Sequence, residues 1–168
     1  MMRKKKSYYF LGFLFLIFSF ATIYELRFAN YIIGKDYMWI LIILIVCVAT
    51  DVGGYIFGKI FKGPKLTKLS PNKTYAGMFG GYILSLIALS FSFQYFKLEL
   101  SIEWLFFTLL VSSVSQLGDI IISYFKRLSK IKDTGKIIPG HGGLLDRVDG
   151  MIFAFPFAYI IILTGAFG

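Results

Sequence analysis

Five apolar stretches, at about residues 8–28, 37–57, 75–96, 104–125 and 151–167, dominate this chain, and the first four match the roughly 20 residues a helix needs to cross a bilayer. The fifth is short. With 57% of its 168 residues hydrophobic and 19 of them Phe, a soluble core of this size could not hide the apolar surface. The loops are too short for a separate soluble domain. The expected fold is therefore an all-α integral membrane protein, one membrane domain over residues 1–168 built as a bundle of about five transmembrane helices. The first stretch follows Arg3-Lys4-Lys5-Lys6 and holds Ser19-Phe20-Ala21 as a nominal cleavage site. Its apolar run exceeds a usual signal core, so it reads as an uncleaved anchor.

Charge then orients the spans. Basic residues outnumber acidic ones, 18 to 9. Fifteen of them fall in the N-terminal tail, the 59–74 loop and the 126–149 loop, which share one side if the spans alternate. By the positive-inside rule that side is cytoplasmic, with the N-terminus in and the C-terminus out. The basic excess thus records orientation and gives no reason to expect nucleic acid. The single cysteine, Cys47, lies among Ile and Val and reads as a small buried hydrophobe.

Chemistry concentrates between Ser112 and Gly150. On a helix, Ser112, Ser115, Gln116, Asp119, Ser123, Lys126 and Arg127 share a stripe of roughly 120°, opposite Leu110, Val114, Leu117, Ile121, Phe125 and Leu128. A carboxylate in hydrocarbon costs about 3 kcal/mol even on lenient scales, so Asp119 is expected to face a wet interior. Next come Lys130, Lys132 and Lys136, the loop Pro139-Gly140-His141-Gly142-Gly143, and Asp146-Arg147-Val148-Asp149. Asp146 and Asp149 are three apart and share one helical face, about 5–6 Å between Cβ atoms. With Asp119 they form three acids able to meet at one interfacial depth, among cations suited to polyphosphate. The plainer alternative is that these acids only pair with Lys126 and Arg147.

Other features are read alongside. Asp51 and Lys59 lie within about 80° on one helix and can face a single cavity, although Asp51 can equally be a satisfied structural polar group. Thr50, Gly54 and Gly58, and then Gly77, Gly81 and Ser85, form four-residue small stripes suited to close helix packing. Lys73 opens a helix, where free N–H groups also favour anions. His141, the only histidine, is assigned to ligand contact or loop structure ahead of proton abstraction.

Ser123-Tyr-Phe-Lys126-Arg127, then Lys132-Asp133-Thr-Gly135, then Pro139-Gly140-His141-Gly142-Gly143-Leu-Leu-Asp146-Arg147-Val-Asp149 resembles the signature of the CDP-diacylglycerol synthases, or phosphatidate cytidylyltransferases. Asp51 with Gly58-Lys59, Ser70-Pro71-Asn72-Lys73-Thr74 and Gln116-Leu-Gly118-Asp119 are similar to the same family. The resemblance runs from about Trp39 to the end. It implies a membrane nucleotidyltransferase joining CTP and phosphatidate to give CDP-diacylglycerol and pyrophosphate, in a bacterial cytoplasmic membrane, with catalytic loops on the cytoplasmic face. It implies catalytic roles for Asp119, Asp146, Asp149, Lys126 and Arg147. Magnesium is expected on the three aspartates, in a two-cation site whose second ion is divalent or monovalent. Substrate contacts fall to Asp51, Lys59, Asn72, Lys73, Ser123, Arg127, Lys132, His141, Gly142 and Gly143. The implied partners are CTP, phosphatidate and membrane lipid, with room for a homodimer and no nucleic acid. Family members are commonly longer, so this chain is expected to be their catalytic part without their further N-terminal helices. Ala76 stands where many relatives carry glutamate, so the third stretch is expected to add no acid. The competing readings are a CTP-dependent lipid or polyprenol kinase, a CDP-archaeol synthase, a truncated lipid-binding membrane protein and a transporter, the last without an inverted repeat to support it.

Overall fold

A computed structural model describes residues 2–28, 37–67, 70, 73–131, 134–135, 143 and 145–165, with only the backbone described for residues 2–9, Phe28 and Arg147. The described residues form six helices and no strand: α1 (Met2–Phe28), α2 (Met38–Phe61), α3 (Tyr75–Phe96), α4 (Ile102–Leu128), α5 (Leu145–Val148) and α6 (Met151–Leu163). Four of them, α1 to α4, are long and apolar enough to cross a membrane, and the chain is an integral membrane protein. The α4 stripe behaves as its pattern predicts. Ser112 and Ser115 are fully buried, whereas Leu110, Leu117, Ile121, Phe125 and Leu128 are exposed, facing outward where lipid tails would lie.

The most extensive helix contact is between α2 and α3, and it exists because glycines remove the side chains that would hold the backbones apart. A Cβ added at Gly53 would stand 2.4 Å from the Gly80 carbonyl oxygen, and one added at Gly77 would stand 2.6 Å from that of Gly54. Gly53→Ala is therefore expected to lower thermal stability in detergent by about 1–3 kcal/mol, the usual range for overpacking. An unchanged melting temperature would show that the two helices can part without cost. The connection between them closes on itself through an isolated antiparallel bridge of Lys65 with Thr74. Leu66 N–H donates to the Lys73 carbonyl (2.7 Å), and the Thr74 side chain caps α3 by accepting from Gly77 N–H (3.1 Å). Lys73 is thereby fixed just outside the start of α3.

At the other end of α2 and α4 sits an aromatic knot. Trp39 stacks on Trp104 with centroids 4.9 Å apart, and Phe93 and Phe107 meet Trp104 edge-on. Cys47 is buried within the core, as its apolar neighbours predict.

The fifth apolar stretch departs from expectation. Helix α6 has 13 residues, about 20 Å at 1.5 Å per residue, against a hydrocarbon core of about 30 Å. It starts deep in the bundle. Phe153 packs on Phe15 (4.9 Å between centroids), Ser19 donates to the Ile152 carbonyl (2.9 Å), and Gly150 abuts Ser115, the midpoint of α4. The turn carrying Asp146 and Asp149 is consequently drawn in against the middle of α4.

Candidate active site

Four elements converge on one cavity of about 290 Å³. Its lining includes Asp51, Gly54 and Tyr55 from α2, Lys73 and Thr74 at the start of α3, Gln116 and Asp119 from α4, and Asp146 and Asp149 around α5. The three aspartates singled out by sequence do meet here, although they lie 27 and 30 residues apart along the chain.

Each is held by a cation. Lys73 forms an ion pair with Asp119. Lys126, one of the last residues of α4, bridges the other two, with Nζ 3.0 Å from Asp146 Oδ1 and 3.3 Å from Asp149 Oδ2. Of the plainer expectation, pairing with Lys126 and Arg147, the structure contains the Lys126 pairs to Asp146 and Asp149, whereas Asp119 pairs with Lys73 and the Arg147 side chain lies outside the described residues. Asp146 also accepts two backbone N–H groups, Gly143 at 2.8 Å and Thr134 at 2.9 Å. This carboxylate therefore ties the α4–α5 connection to the top of α4.

The two neighbouring acids differ electrostatically. Burial pushes Asp146 upward, but the Gly143 and Thr134 N–H groups and Lys126 outweigh it and hold the carboxyl down at about 2. Asp149 is 6% exposed; burial first and the Asp119 charge second push it up to about 6, against Lys126 and its own bond from Gly150 N–H.

Asp119, Asp146 and Asp149 offer hard oxygen donors of the kind magnesium takes, and the strain on Asp149 as an anion is one a bound cation would relieve. The donor chemistry fits a divalent ion. The arrangement is not yet that of a closed cage: among the described residues no group of three or more His, Cys, Asp or Glu stands close enough to hold a metal. Two lysine ammonium groups pair with the acids.

Other expected site residues are placed differently. Ser123 Oγ lies 3.4 Å from Asp119 Oδ1, so it touches the acid and not the open cavity. Lys59 is exposed over the Tyr55 ring, 5.6 Å from its centroid, and does not join Asp51 in the lining. Arg127 points away, its guanidinium donating to the Ile131 carbonyl at 3.5 Å near the end of α4. Its lateral swing follows from its position one residue, or 100°, past Lys126. Gly143 is buried and supplies a backbone donor to Asp146. Asn72, Lys132, His141, Gly142 and the side chain of Arg147 lie outside the described residues.

Sequence reasoning passed over Tyr55, Thr74 and Gln116 as lining groups. Gln116 could have been found, because it shares the α4 stripe with Asp119; its amide reaches Met78 O and Ser112 Oγ at 3.5 Å each. Tyr55 offered only its place one turn beyond Asp51.

Comparison with known proteins follows the same lines. Residues 1–164 match the Cytidylyltransferase family. The phosphatidate cytidylyltransferase of Staphylococcus haemolyticus (strain JCSC1435) is 42% identical over 128 residues, 74% of this chain and 49% of that protein. Those of Staphylococcus epidermidis (strain ATCC 12228 / FDA PCI 1200) and Staphylococcus aureus (strain COL) are 37% and 36% identical over 148 residues, 86% of this chain and 54% of each. The chain spans about half the length of the curated relatives it matches. With that match running over nearly all of its residues, and its signature acids gathered on one cavity, the chain belongs to the cytidylyltransferase family.

Proposed function

We propose that this chain carries out cytidylyl transfer from CTP to phosphatidate, releasing pyrophosphate and forming CDP-diacylglycerol. The observation that supports it best is the cavity that unites Lys73, Asp119, Asp146 and Asp149, with Lys126 reaching onto two of the acids. The names of the relatives point to the same reaction. An oxygen of the phosphatidate phosphate attacks the α-phosphorus of CTP in line; a P–O bond forms there as the bond to the β-phosphate breaks, and pyrophosphate leaves. A phosphate monoester has its second pKa at about 6, so the attacking oxygen is already anionic and needs no general base. Lys73 and Lys126, freed from their carboxylates by an incoming polyphosphate, turn to its oxygens and offset the charge gathering on the leaving group. Asp119, Asp146 and Asp149 would hold magnesium, which when bound would supply charge neutralisation for the triphosphate. The cavity end of the bundle faces the cytoplasm of a bacterium, which the basic loops support.

The test uses CTP labelled at either the α- or the γ-phosphorus, with purified protein and phosphatidate in mixed micelles. Alpha label in lipid supports transfer of cytidylate. Gamma label in lipid would make the protein a kinase, and no label in lipid in the presence of magnesium would remove the proposal.

Metal binding carries its own pH signature. With Asp149 raised to about 6, a divalent ion competes with a proton for that carboxylate below this pH. Manganese affinity is expected to be flat above pH 6 and to fall by up to roughly tenfold per pH unit below it, as one proton is displaced. Titration followed by manganese electron paramagnetic resonance checks this, and an affinity unchanged between pH 7 and 5 would take Asp149 out of the metal site.

A further inference from the structure

Asp119 and Asp149 each adjoin a glycine, and those two glycines meet the opposite helix. Gly118 precedes Asp119 on α4, and Gly150 follows Asp149 at the start of α6. A Cβ at Gly118 would lie 2.7 Å from Phe153 Cδ2 and 3.0 Å from its Cβ and Cγ. A Cβ at Gly150 would lie 2.6 Å from Ser115 Oγ and 2.7 Å from the Ser115 carbonyl oxygen. The contacts are reciprocal. Ser115 and Gly118 are three apart on α4, and Gly150, just before α6, is three from Phe153 on it, so each side gives one side chain and receives one.

We infer that Gly118 and Gly150 are positioning residues for the transfer reaction, forming a clamp that sets the separation of Asp119 from Asp149 across the cavity. The inference rests on the cytidylyl-transfer reading above. Lys73 fixes the far side of Asp119, and Lys126 the far side of Asp149, but both lysines are long and adaptable. Backbone contact between α4 and the turn before α6 is the rigid part. The adjacency of each glycine to its acid means that a displacement of the helix by one methyl group moves the carboxylate with it. Both glycines are buried and neither is itself part of the cavity lining, so they act through the acids beside them, Gly150 also through its N–H bond to Asp149 Oδ1 (3.0 Å).

The two sites differ in a way that makes the idea testable. At Gly118 the obstacle is a side chain, and Phe153→Ala removes its nearest atom, Cδ2, together with Cγ, leaving only the Cβ at 3.0 Å. At Gly150 part of the obstacle is backbone, which no substitution removes. Gly118→Ala is expected to lower kcat by up to about 10²-fold, the loss that misplacement by about an ångström can bring, with KM for CTP within a few-fold of the parent. Adding Phe153→Ala is expected to restore kcat to within about tenfold of the Phe153→Ala variant alone. Gly150→Ala is expected to lose kcat likewise, and Ser115→Ala is expected not to rescue it.

A second reading needs no turnover. Spin labels at Tyr124→Cys on α4 and Ile160→Cys on α6, both exposed sites, report the helix separation in the full chain, with the buried Cys47 left unlabelled. Gly150→Ala should lengthen or broaden that distance distribution, and Gly118→Ala should do so only while Phe153 is present. Should the parent chain transfer no cytidylate while the labels shift as stated, the reaction reading falls and the clamp stands. Parent-like kcat and label distances in Gly150→Ala would overturn the clamp. So would a Gly118→Ala loss that Phe153→Ala leaves in place, or an equal loss in KM and kcat that tracks melting temperature alone.

Discussion

Asp146→Asn is expected to reduce cytidylyl transfer by on the order of 10³-fold while the protein still inserts in membranes and purifies as a single species. Asp146 is acceptor to three donors: Gly143 N–H at 2.8 Å, Thr134 N–H at 2.9 Å and Lys126 Nζ at 3.0 Å. An ionised carboxylate serves all of them with two oxygens. Asparagine keeps one acceptor and turns the other into an NH2, which must then face an N–H or an ammonium. The anion is lost as well, along with a hard oxygen that the proposed magnesium site would use. Because the native carboxyl is held at about 2, below its ordinary 3.8, its contribution to stability is fully present above pH 4 and fades as pH falls through 2. The asparagine variant should therefore lose stability at neutral pH yet approach the parent under strong acid. Insertion is expected to survive, since the residue lies on a four-residue helix outside the spans. Assay of labelled cytidylate transfer, with size-exclusion and melting controls, checks both halves. Full turnover by the variant would remove Asp146 from the reaction.

Much of this arrangement was legible because membrane helices obey few rules. Leu110, Leu117 and Phe125 could be assigned to the outer face of α4, and Ser112 and Ser115 to the inner, from a 100° period alone. The glycine stripes of α2 and α3 announced close packing, which the 2.6 Å between a Cβ added at Gly77 and the Gly54 carbonyl oxygen makes concrete, although the tightest point on α2, Gly53, lies one residue off its stripe. Depth was not legible. Nothing in the hydropathy of residues 151–167 says that α6 begins beside the midpoint of α4; that depends on Phe153 finding the space left by Gly118 and on Ser19 capturing the Ile152 carbonyl. Side-chain pairing was only partly legible. Lys126 and Arg127 share the same stripe and charge, yet one reaches two cavity acids and the other turns back to Ile131. A difference of 100° around the helix decides which, and a broad polar stripe is too coarse to rank them.

Lys126→Met is expected to have the largest effect on the stability of the metal-free protein. The lysine side chain is 12% exposed and the side chains of its two partners 10% and 9%, so this is a largely buried triad in which one cation serves two anions. Removing the cation alone leaves the anions uncompensated, a change that costs about 3 kcal/mol or more in buried pairs. In a chain of this length that corresponds to a fall of roughly 6–12 °C in melting temperature. The two acids do not respond alike. Asp146 retains its Gly143 and Thr134 donors and stays ionised. Asp149, already pushed up by burial and by Asp119, loses its main opposing charge and rises further, so it takes up a proton nearer neutral pH. A divalent cation can replace the missing ammonium between the carboxylates. Magnesium or manganese should therefore raise the melting temperature of the variant more than that of the parent, while kcat stays low because the transferred phosphates have lost a cation of their own. A metal-free melting temperature equal to the parent's would mean that Lys126 does not neutralise these acids. Equal stabilisation of both proteins by metal would mean that ion and ammonium do not compete for the same carboxylates, and Asp146 and Asp149 would then have to bind the ion with Lys126 still in place.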